Sequence, residues 1–297
     1  MTPTRPTFVA LAFAWTLMSA AAAAPAADSA PAAPAPAPAT QPVAAPKPIK
    51  ALLITGGPYH DYTAQKTLLT EGIDKRANVA WTIYHMGDKG GTAFKLPIYE
   101  SPDWAKGYDV IVHNECFADV QDEAFIKRVT AAHAAGVPGV FIHCCMHTFR
   151  AVKGFDDYRH LLGVTTVRHE KARSFEVKPA APDHPVMKGF PAAFKTPVPD
   201  EVYVIDKVWP DCTVLATAYG EETKKDQPCA WVNRYGKAKV FGTTLGHPTE
   251  VIGSDPFLDT VARGLLWTCD KLGDDGKPAA GYGPAAAKEP AGTAAKP

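Results

Sequence analysis

The sequence IKALLIT at residues 49–55, followed at once by Gly56-Gly57, decides the fold class of this chain. A short apolar run of this kind is typical of a strand buried on both faces of a parallel sheet. The two glycines permit the tight backbone turn that such a strand needs where it reaches a loop. The stretch therefore predicts a buried first strand that runs into a tight loop.

The segments that follow alternate between helix and strand. Apolar residues at helical spacing predict helices at residues 63–76 and 122–135. Runs rich in β-formers predict strands at residues 79–84, 108–113 and 140–143. The resulting β-α-β-β-α-β order favours an α/β fold with an open, doubly wound and mostly parallel sheet.

The second half of the chain has a different pattern, with short apolar runs joined by Pro, Gly and Asp turns. A last helix is predicted from Asp255, which would cap it, with Pro256 at its first position. The short runs predict antiparallel strands added to the sheet edge, at residues 175–178, 202–205, 213–218, 229–233 and 239–243.

The N-terminal segment has the composition of a signal peptide. Residues 1–24 combine the basic Arg5, an apolar run at residues 8–20 and a series of alanines. An uncleaved membrane anchor is the alternative, because the apolar stretch is nearly long enough to span a bilayer. A signal peptide predicts a periplasmic or secreted protein whose mature chain begins near residues 23–27.

Two further segments are poor in large apolar residues. Ala and Pro dominate residues 25–48, and Gly, Ala and Pro dominate residues 273–297. Such segments bury too little apolar surface to offset the entropy lost on ordering, so they predict a disordered linker and a disordered tail. Residues 49–272 remain, which is enough chain for one sizeable domain.

The charge balance excludes several classes of partner. The chain has 31 Lys and Arg against 31 Asp and Glu, and its body has no basic block. This excludes a nucleic-acid binder and a protein held on anionic membranes, and it leaves the oligomeric state open. No second long apolar run follows the signal, so no membrane insertion is expected after its cleavage.

The polar residues cluster in the loops that follow the predicted strands. Ligands of open α/β sheets bind beyond the carboxyl ends of the strands, so these loops predict the site. His133, by contrast, lies on a helix beside apolar positions and is predicted to be a packed or surface residue. The loops carry Tyr59, His60 and Asp61, then Asn114 and Glu115, then His143 to His147, and finally His247.

Several ordered motifs give the chain a family resemblance. They are LLITGGPYHD, GVFIHCC, DYRHLLGV with His169 beyond it, DHPVMKGF, DEVY, AWVNRYGKAKVFGTTLGH and RGLLW. In this arrangement, from about residue 50 to residue 270, the chain resembles the ThuA-like (trehalose utilisation) family. The resemblance implies a flavodoxin-like sheet similar to that of class I glutamine amidotransferases. It also implies a role in carbohydrate metabolism, on disaccharides or their 3-keto derivatives.

The resemblance also implies which residues form the site. The polar positions of the family match His60, Asp61, His143, His169, Glu201, Tyr203 and His247. The chain departs from the family pattern after His143, where small residues are usual and Cys144-Cys145-Met146-His147 stands instead.

A sugar site with general acid–base chemistry is the favoured interpretation, because sugars need planar hydrogen-bonding groups and aromatic faces. Histidine can move a proton beside a keto group at neutral pH. The candidate catalytic residues are His60, His143, His169 and His247. The candidate substrate-binding residues are Tyr59, Asp61, Asn114, Glu115, Glu201 and Tyr203. A non-catalytic sugar-binding or scaffold protein is the competing class.

Two other chemistries remain open. A divalent metal ion is a candidate cofactor, with His60, His143 and His247 as possible ligands. A Cys-dependent, amidotransferase-like hydrolase is the second alternative, with Cys144 or Cys145 as the nucleophile on the turn after the fourth strand. The absence of flanking glycines on that turn disfavours the Cys mechanism.

Overall fold

A computed structural model describes residues 47–284 of the chain. The helices are α1 (Tyr62–Asp74), α2 (Glu123–Ala134), α3 (Asp157–Leu162), α4 (Thr249–Ile252) and α5 (Asp255–Thr268). The strands are β1 (Ile49–Gly56), β2 (Val79–His85), β3 (Val110–Glu115), β4 (Gly139–Ile142), β5 (Val164–His169), β6 (Glu176–Pro179), β7 (Phe194–Lys195), β8 (Tyr203–Val208), β9 (Thr213–Gly220), β10 (Lys225–Tyr235) and β11 (Ala238–Thr243).

Nine of these strands form one central sheet in the order β2-β1-β3-β4-β11-β10-β9-β6-β7. The first five strands in that order are parallel, and the last four join them in antiparallel pairs. The parallel part has the strand order of flavodoxin-like folds. The predicted fold class, a doubly wound and mostly parallel sheet with antiparallel additions, is therefore confirmed.

Two details of the predicted second half are wrong. The strand at residues 239–243 corresponds to β11, which pairs in parallel with β4 and so completes the parallel core of the sheet. The strand at residues 202–205 corresponds to β8, which does not join the edge of the central sheet. It pairs with β5, a strand that the sequence analysis did not predict, in a separate two-stranded sheet.

The core has two apolar layers, one on each face of the sheet. Side chains of β1 alternate between them: Ala51 and Leu53 pack with α1 and α5, and Leu52 and Ile54 pack with α2 and α3. This alternation is the direct consequence of the two-residue period of a strand. It buries β1 on both faces, as its continuous apolar run predicts.

Aspartates at the starts of α1 and α2 satisfy backbone N–H groups that have no partner inside a helix. The Asp61 carboxylate accepts a hydrogen bond from the Ala64 amide at 2.9 Å, and Asp122 accepts one from Phe125 at 3.0 Å. At α5 the prediction is off by one residue, because Ser254 occupies the N-cap position and Asp255 belongs to the first turn.

The C-terminal segment is ordered further than its composition predicts. The Ala279 amide donates to the Lys271 carbonyl, and the Asn78 amide donates to the carbonyl of Tyr282, whose ring packs against the core. Residues 273–284 therefore belong to the folded domain, since these contacts supply the burial that their composition lacks. The rest of the predicted tail, the signal peptide and all but the end of the linker lie outside the described residues. Within residues 47–284 no helix is long and apolar enough to cross a membrane.

Candidate active site

A cleft of about 130 Å³ opens where the parallel strands of the central sheet end. Loops after β1, β3, β4 and β11 form it, together with the end of β5 and the start of β8. This is the edge at which ligands of open α/β sheets bind. The lining residues are Tyr59, His60, Cys116, Ala118, Cys144, His147, Arg150, His169, Glu201, Tyr203 and His247.

His143 occupies a strained turn at the base of the cleft. It follows β4 directly and has a φ of 47°, a conformation that non-glycine residues rarely adopt. Such strain persists only where the surrounding structure enforces it, and it clusters at functional sites. The strained position on the turn after β4 is therefore occupied by a histidine and not by a cysteine.

The protonation of the His143 ring follows from its hydrogen bond. Nδ1 lies 2.7 Å from the Thr244 carbonyl oxygen, which can only accept, so Nδ1 carries the hydrogen. Nε2 is then left with a free lone pair, and it is buried without a hydrogen-bond partner. Burial lowers the pKa of His143 to about 4, which keeps the ring neutral.

Three imidazoles converge at this point. The ring of His60 lies 4.9 Å from the ring of His143 and 4.8 Å from that of His247, measured between ring centroids. One nitrogen from each ring lies within 4.8 Å of the other two. The His60 Nε2 and His247 Nδ1 atoms, like the His143 Nε2 atom, are buried and have no hydrogen-bond partner in the described part of the chain. Burial, followed by the charges of its two neighbours, lowers the pKa of His60 to about 3.

Glu201 is the carboxylate of the cluster. Its Oε1 atom lies 3.2 Å from Nδ1 of His247, outside hydrogen-bond geometry, and 3.4 Å from Nε2 of His169. Its Oε2 atom lies 3.6 Å from Nε2 of His143. Burial raises the pKa of Glu201, but the neighbouring histidines outweigh burial and the net shift is downward. The same carboxylate raises the pKa of His247.

Asp200 holds the loop that carries His247. This wholly buried side chain accepts hydrogen bonds from the amides of Gly246, His247 and Glu201, at 3.0, 3.1 and 2.8 Å. Burial raises its pKa to about 6 against the effect of these donors. The DEVY motif predicts roles for Glu201 and Tyr203, but its first residue, Asp200, was not among the predicted site residues.

One wall of the cleft is a stack of flat rings. The His147 ring lies 4.2 Å from the Tyr203 ring at an interplanar angle of 10°, and His169 stacks on the same tyrosine at 5.7 Å. Burial, together with the charge of Arg150, lowers the pKa of His147 to about 2. The sequence patterns assign no specific role to His147 or to Arg150. The position of both in the loop after β4 was the available signal.

Three predicted substrate-binding residues have other contacts. Asn114 is buried beneath the cleft and donates to Oε1 of Gln65 at 3.1 Å. Glu115 is also buried there, where it accepts a hydrogen bond from the Tyr99 hydroxyl at 2.7 Å. Asp61 caps α1. None of the three is among the residues that line the cleft, and their role in substrate binding stays a prediction.

The cysteines do not form a nucleophile. Cys144 is joined to Cys116 by a disulfide bond, with a Cα–Cα distance of 5.3 Å, so it has no thiol while the bridge is formed. Cys145 is completely buried, and burial raises the pKa of its thiol well above the ordinary value. Because the thiolate is the nucleophilic form, the disulfide and the burial of Cys145 disfavour the Cys-dependent hydrolase.

The fold and the cleft together define a class: a flavodoxin-like α/β domain with a histidine-rich polar site at the carboxyl ends of its strands. A family model described as ThuA, trehalose utilisation, matches residues 54–268. The chain belongs to this family, and membership supports a role related to trehalose utilisation.

Solved structures agree with this fold. The domain is similar to a ThuA-like protein from Parabacteroides merdae, with a TM-score of 0.59 and 18% sequence identity over 75% of this chain and 90% of that one. It is also similar to a ThuA-like protein from Bacteroides uniformis, with a TM-score of 0.57 and 16% identity over 78% of this chain and 94% of that one. No curated protein matches the chain.

Proposed function

We propose that this protein binds a sugar, a disaccharide or its 3-keto derivative, and transforms it with a divalent metal ion held by His60, His143 and His247. The observation that carries the proposal is the convergence of three buried imidazole nitrogens that have no hydrogen-bond partner within residues 47–284. One of them, Nδ1 of His247, faces the Glu201 carboxylate at 3.2 Å. Burying a polar atom without a partner is costly, and native proteins keep such atoms mainly where a ligand satisfies them.

The donor set favours a transition metal. Three imidazoles with a nearby carboxylate suit zinc and its neighbours, whereas magnesium and calcium prefer oxygen ligands. The hydrogen bond from His143 to the Thr244 carbonyl is the outer contact that orients a ligating histidine. Tetrahedral zinc places its nitrogen ligands roughly 3.3 Å apart. The three nitrogens lie within 4.8 Å of one another, so binding zinc would bring them closer by up to about 1.5 Å.

The remaining cleft residues suit a sugar. The ion would polarise a ketone oxygen, which acidifies the hydrogen on the adjacent carbon. Glu201 lies beside His143 and His247, where its carboxylate can take that proton and return it to the same or a neighbouring carbon. The stacked wall and the exposed Tyr59 ring offer flat surfaces to the sugar.

Metal analysis of the full chain tests the metal site. We expect one zinc ion per chain and a large loss of zinc affinity in His143→Ala and in His60→Ala. His160→Ala is the matched control, because this histidine stacks on Trp209 and does not line the cleft. Thermal melts establish that each variant folds. Wild-type affinity for zinc in folded His143→Ala and His60→Ala would refute the metal site.

Turnover is tested by deuterium uptake. In heavy water, the zinc-loaded protein should introduce deuterium beside the ketone of a 3-keto-sugar, and NMR detects the lost proton signal. Glu201→Gln should abolish this exchange and keep zinc. Sugar binding without exchange in the wild-type protein would support the non-catalytic alternative instead.

The proposal includes export, supported by Arg5 and the apolar run at residues 8–20. N-terminal sequencing should find a mature chain that begins near residues 23–27, in the periplasmic or secreted fraction. An intact Met1 in a cytoplasmic pool would argue against export.

A further inference from the structure

Arg150 brings a guanidinium to the same cleft as the histidine cluster. The side chain is half-buried, and its recorded hydrogen bond as donor runs from Nη1 to the Val167 carbonyl at 3.2 Å. A guanidinium has five N–H donors, so most of its capacity is left for a ligand.

Among the arginines of residues 47–284, Arg150 combines the lack of a carboxylate partner with a position in the cleft. Within residues 47–284, Arg150, Arg234 and Arg263 are the arginines without an ion pair, and of these only Arg150 lines the cleft. The other arginines of this part each pair with a carboxylate: Arg76, Arg128, Arg159, Arg168 and Arg173. Arg150 thus presents an uncompensated positive charge to the cleft, which a negatively charged ligand group would neutralise.

The backbone around Arg150 is held in place before any ligand arrives. Its amide donates to the His147 carbonyl, and its own carbonyl accepts from Nη2 of Arg159 at 3.3 Å. The neighbouring Ala151 amide donates to the Ala118 carbonyl across the cleft floor. Because the backbone is already fixed by these hydrogen bonds, less conformational entropy is lost when the Arg150 side chain binds a ligand.

The carboxylate that lines the cleft already faces other groups. Glu201 faces His143, His169 and His247, and it forms no ion pair with Arg150. With the divalent ion of the proposed function, on which this step rests, the cleft holds more positive than negative charge. We propose that Arg150 binds an anionic group on the substrate, so that the substrate is an acidic sugar rather than a neutral one.

The group that fits is a carboxylate or a phosphate. The planar fork of a guanidinium pairs with two oxygens of either group at once, which gives orientation as well as affinity. A sugar acid and a sugar phosphate both present this chemistry. The experiment therefore compares one sugar acid and one sugar phosphate with glucose, the neutral sugar from which both derive.

Calorimetric binding to the zinc-loaded full chain tests the proposal, with glucuronate, glucose 6-phosphate and glucose as ligands. We expect the wild-type protein to bind at least one acidic sugar about tenfold or more tighter than glucose. Arg150→Gln should erase this preference, and Arg150→Lys should keep part of it. Arg234→Gln removes an exposed arginine without an ion pair and should change nothing. The relative affinities of glucuronate and glucose 6-phosphate identify the anionic group.

Equal affinity of the wild-type protein for acidic and neutral sugars would overturn the assignment of Arg150, and so would an acidic preference that survives in Arg150→Gln. Either result leaves the metal site untouched, since zinc binding is measured separately. If the wild-type protein did not bind zinc, that result would instead count against the proposed function. Melting temperatures and zinc affinity of Arg150→Gln should match the wild-type values, which separates a lost ligand contact from misfolding.

Discussion

At the scale of single residues, position relative to the end of a strand decides whether a polar group reaches the histidine cluster at the sheet edge. Asn114 and Glu115 are the last residues of β3, so their side chains point into the layers that flank the sheet. His143 lies one residue beyond β4, where the turn carries its ring to the sheet edge. Both loops are equally polar in sequence, and only the strand ends distinguish them.

Asp61 illustrates how a residue beside the site can have a structural role. Its carboxylate caps α1 through the Ala64 amide. We expect Asp61→Ala to lower the free energy of unfolding by about 1 kcal/mol, whereas Asp61→Ser should keep both the cap and sugar binding. Urea unfolding and sugar titration provide the two measurements.

The matched control for this change is Asp122→Ala, which removes the equivalent cap of α2. It should lower stability by a similar amount. If Asp61→Ser lost sugar binding at unchanged stability, the Asp61 carboxylate would be a ligand contact after all.

At the scale of elements, local pattern identified most strands but not all of their partners. The sequence of a short strand does not show whether its neighbouring strand runs parallel or antiparallel to it. The sequence therefore predicts β11 as an antiparallel strand at the sheet edge. Its pairing with β4 depends on where the chain returns after β10. That return matters for function, because it brings His247 to the same edge as His60 and His143.

The small sheet of β5 and β8 matters in the same way. It places His169, the last residue of β5, opposite Tyr203, the first residue of β8. Their side chains form part of the stacked wall. The pairing joins segments more than 30 residues apart in the chain, and no local pattern specifies it.

At the scale of the whole molecule, a buried polar network lies inside the apolar layer that contains α2. His133 Nε2 lies 3.1 Å from Nε2 of His113, whose Nδ1 lies 2.8 Å from Oε1 of Glu115. The Nδ1 atom of His133 donates to the Val137 carbonyl at 2.7 Å. His133 is thus a packed residue, as its apolar neighbours predict.

This network makes stability depend on pH. Burial, together with the charge of His113, lowers the pKa of His133 from 6.5 to about 3. The unfolded chain therefore binds this proton first as the pH falls. The stabilisation is complete above pH 6.5 and is lost progressively between pH 6.5 and about 3. By about pH 5 the loss from this group should reach about 2 kcal/mol.

Urea unfolding over a pH series measures the effect. His133→Gln should be less stable at neutral pH, since it disturbs the network, but its stability should fall less steeply on acidification. An identical pH dependence in the wild-type protein and the variant would show that His133 does not cause the loss.

The sequence by itself determined the fold class, because the apolar run of β1 and the alternation of helices and strands are local patterns that one architecture satisfies. It also indicated the edge of the sheet at which His60, His143 and His247 would lie, since parallel strands end together. Only the tertiary structure decided which polar residues face the cleft. It showed that Cys144 is joined to Cys116, that Asp200 supports the His247 loop, and that Arg150 has no acidic partner among residues 47–284. These facts depend on contacts between segments distant in the chain, and no local periodicity encodes such contacts.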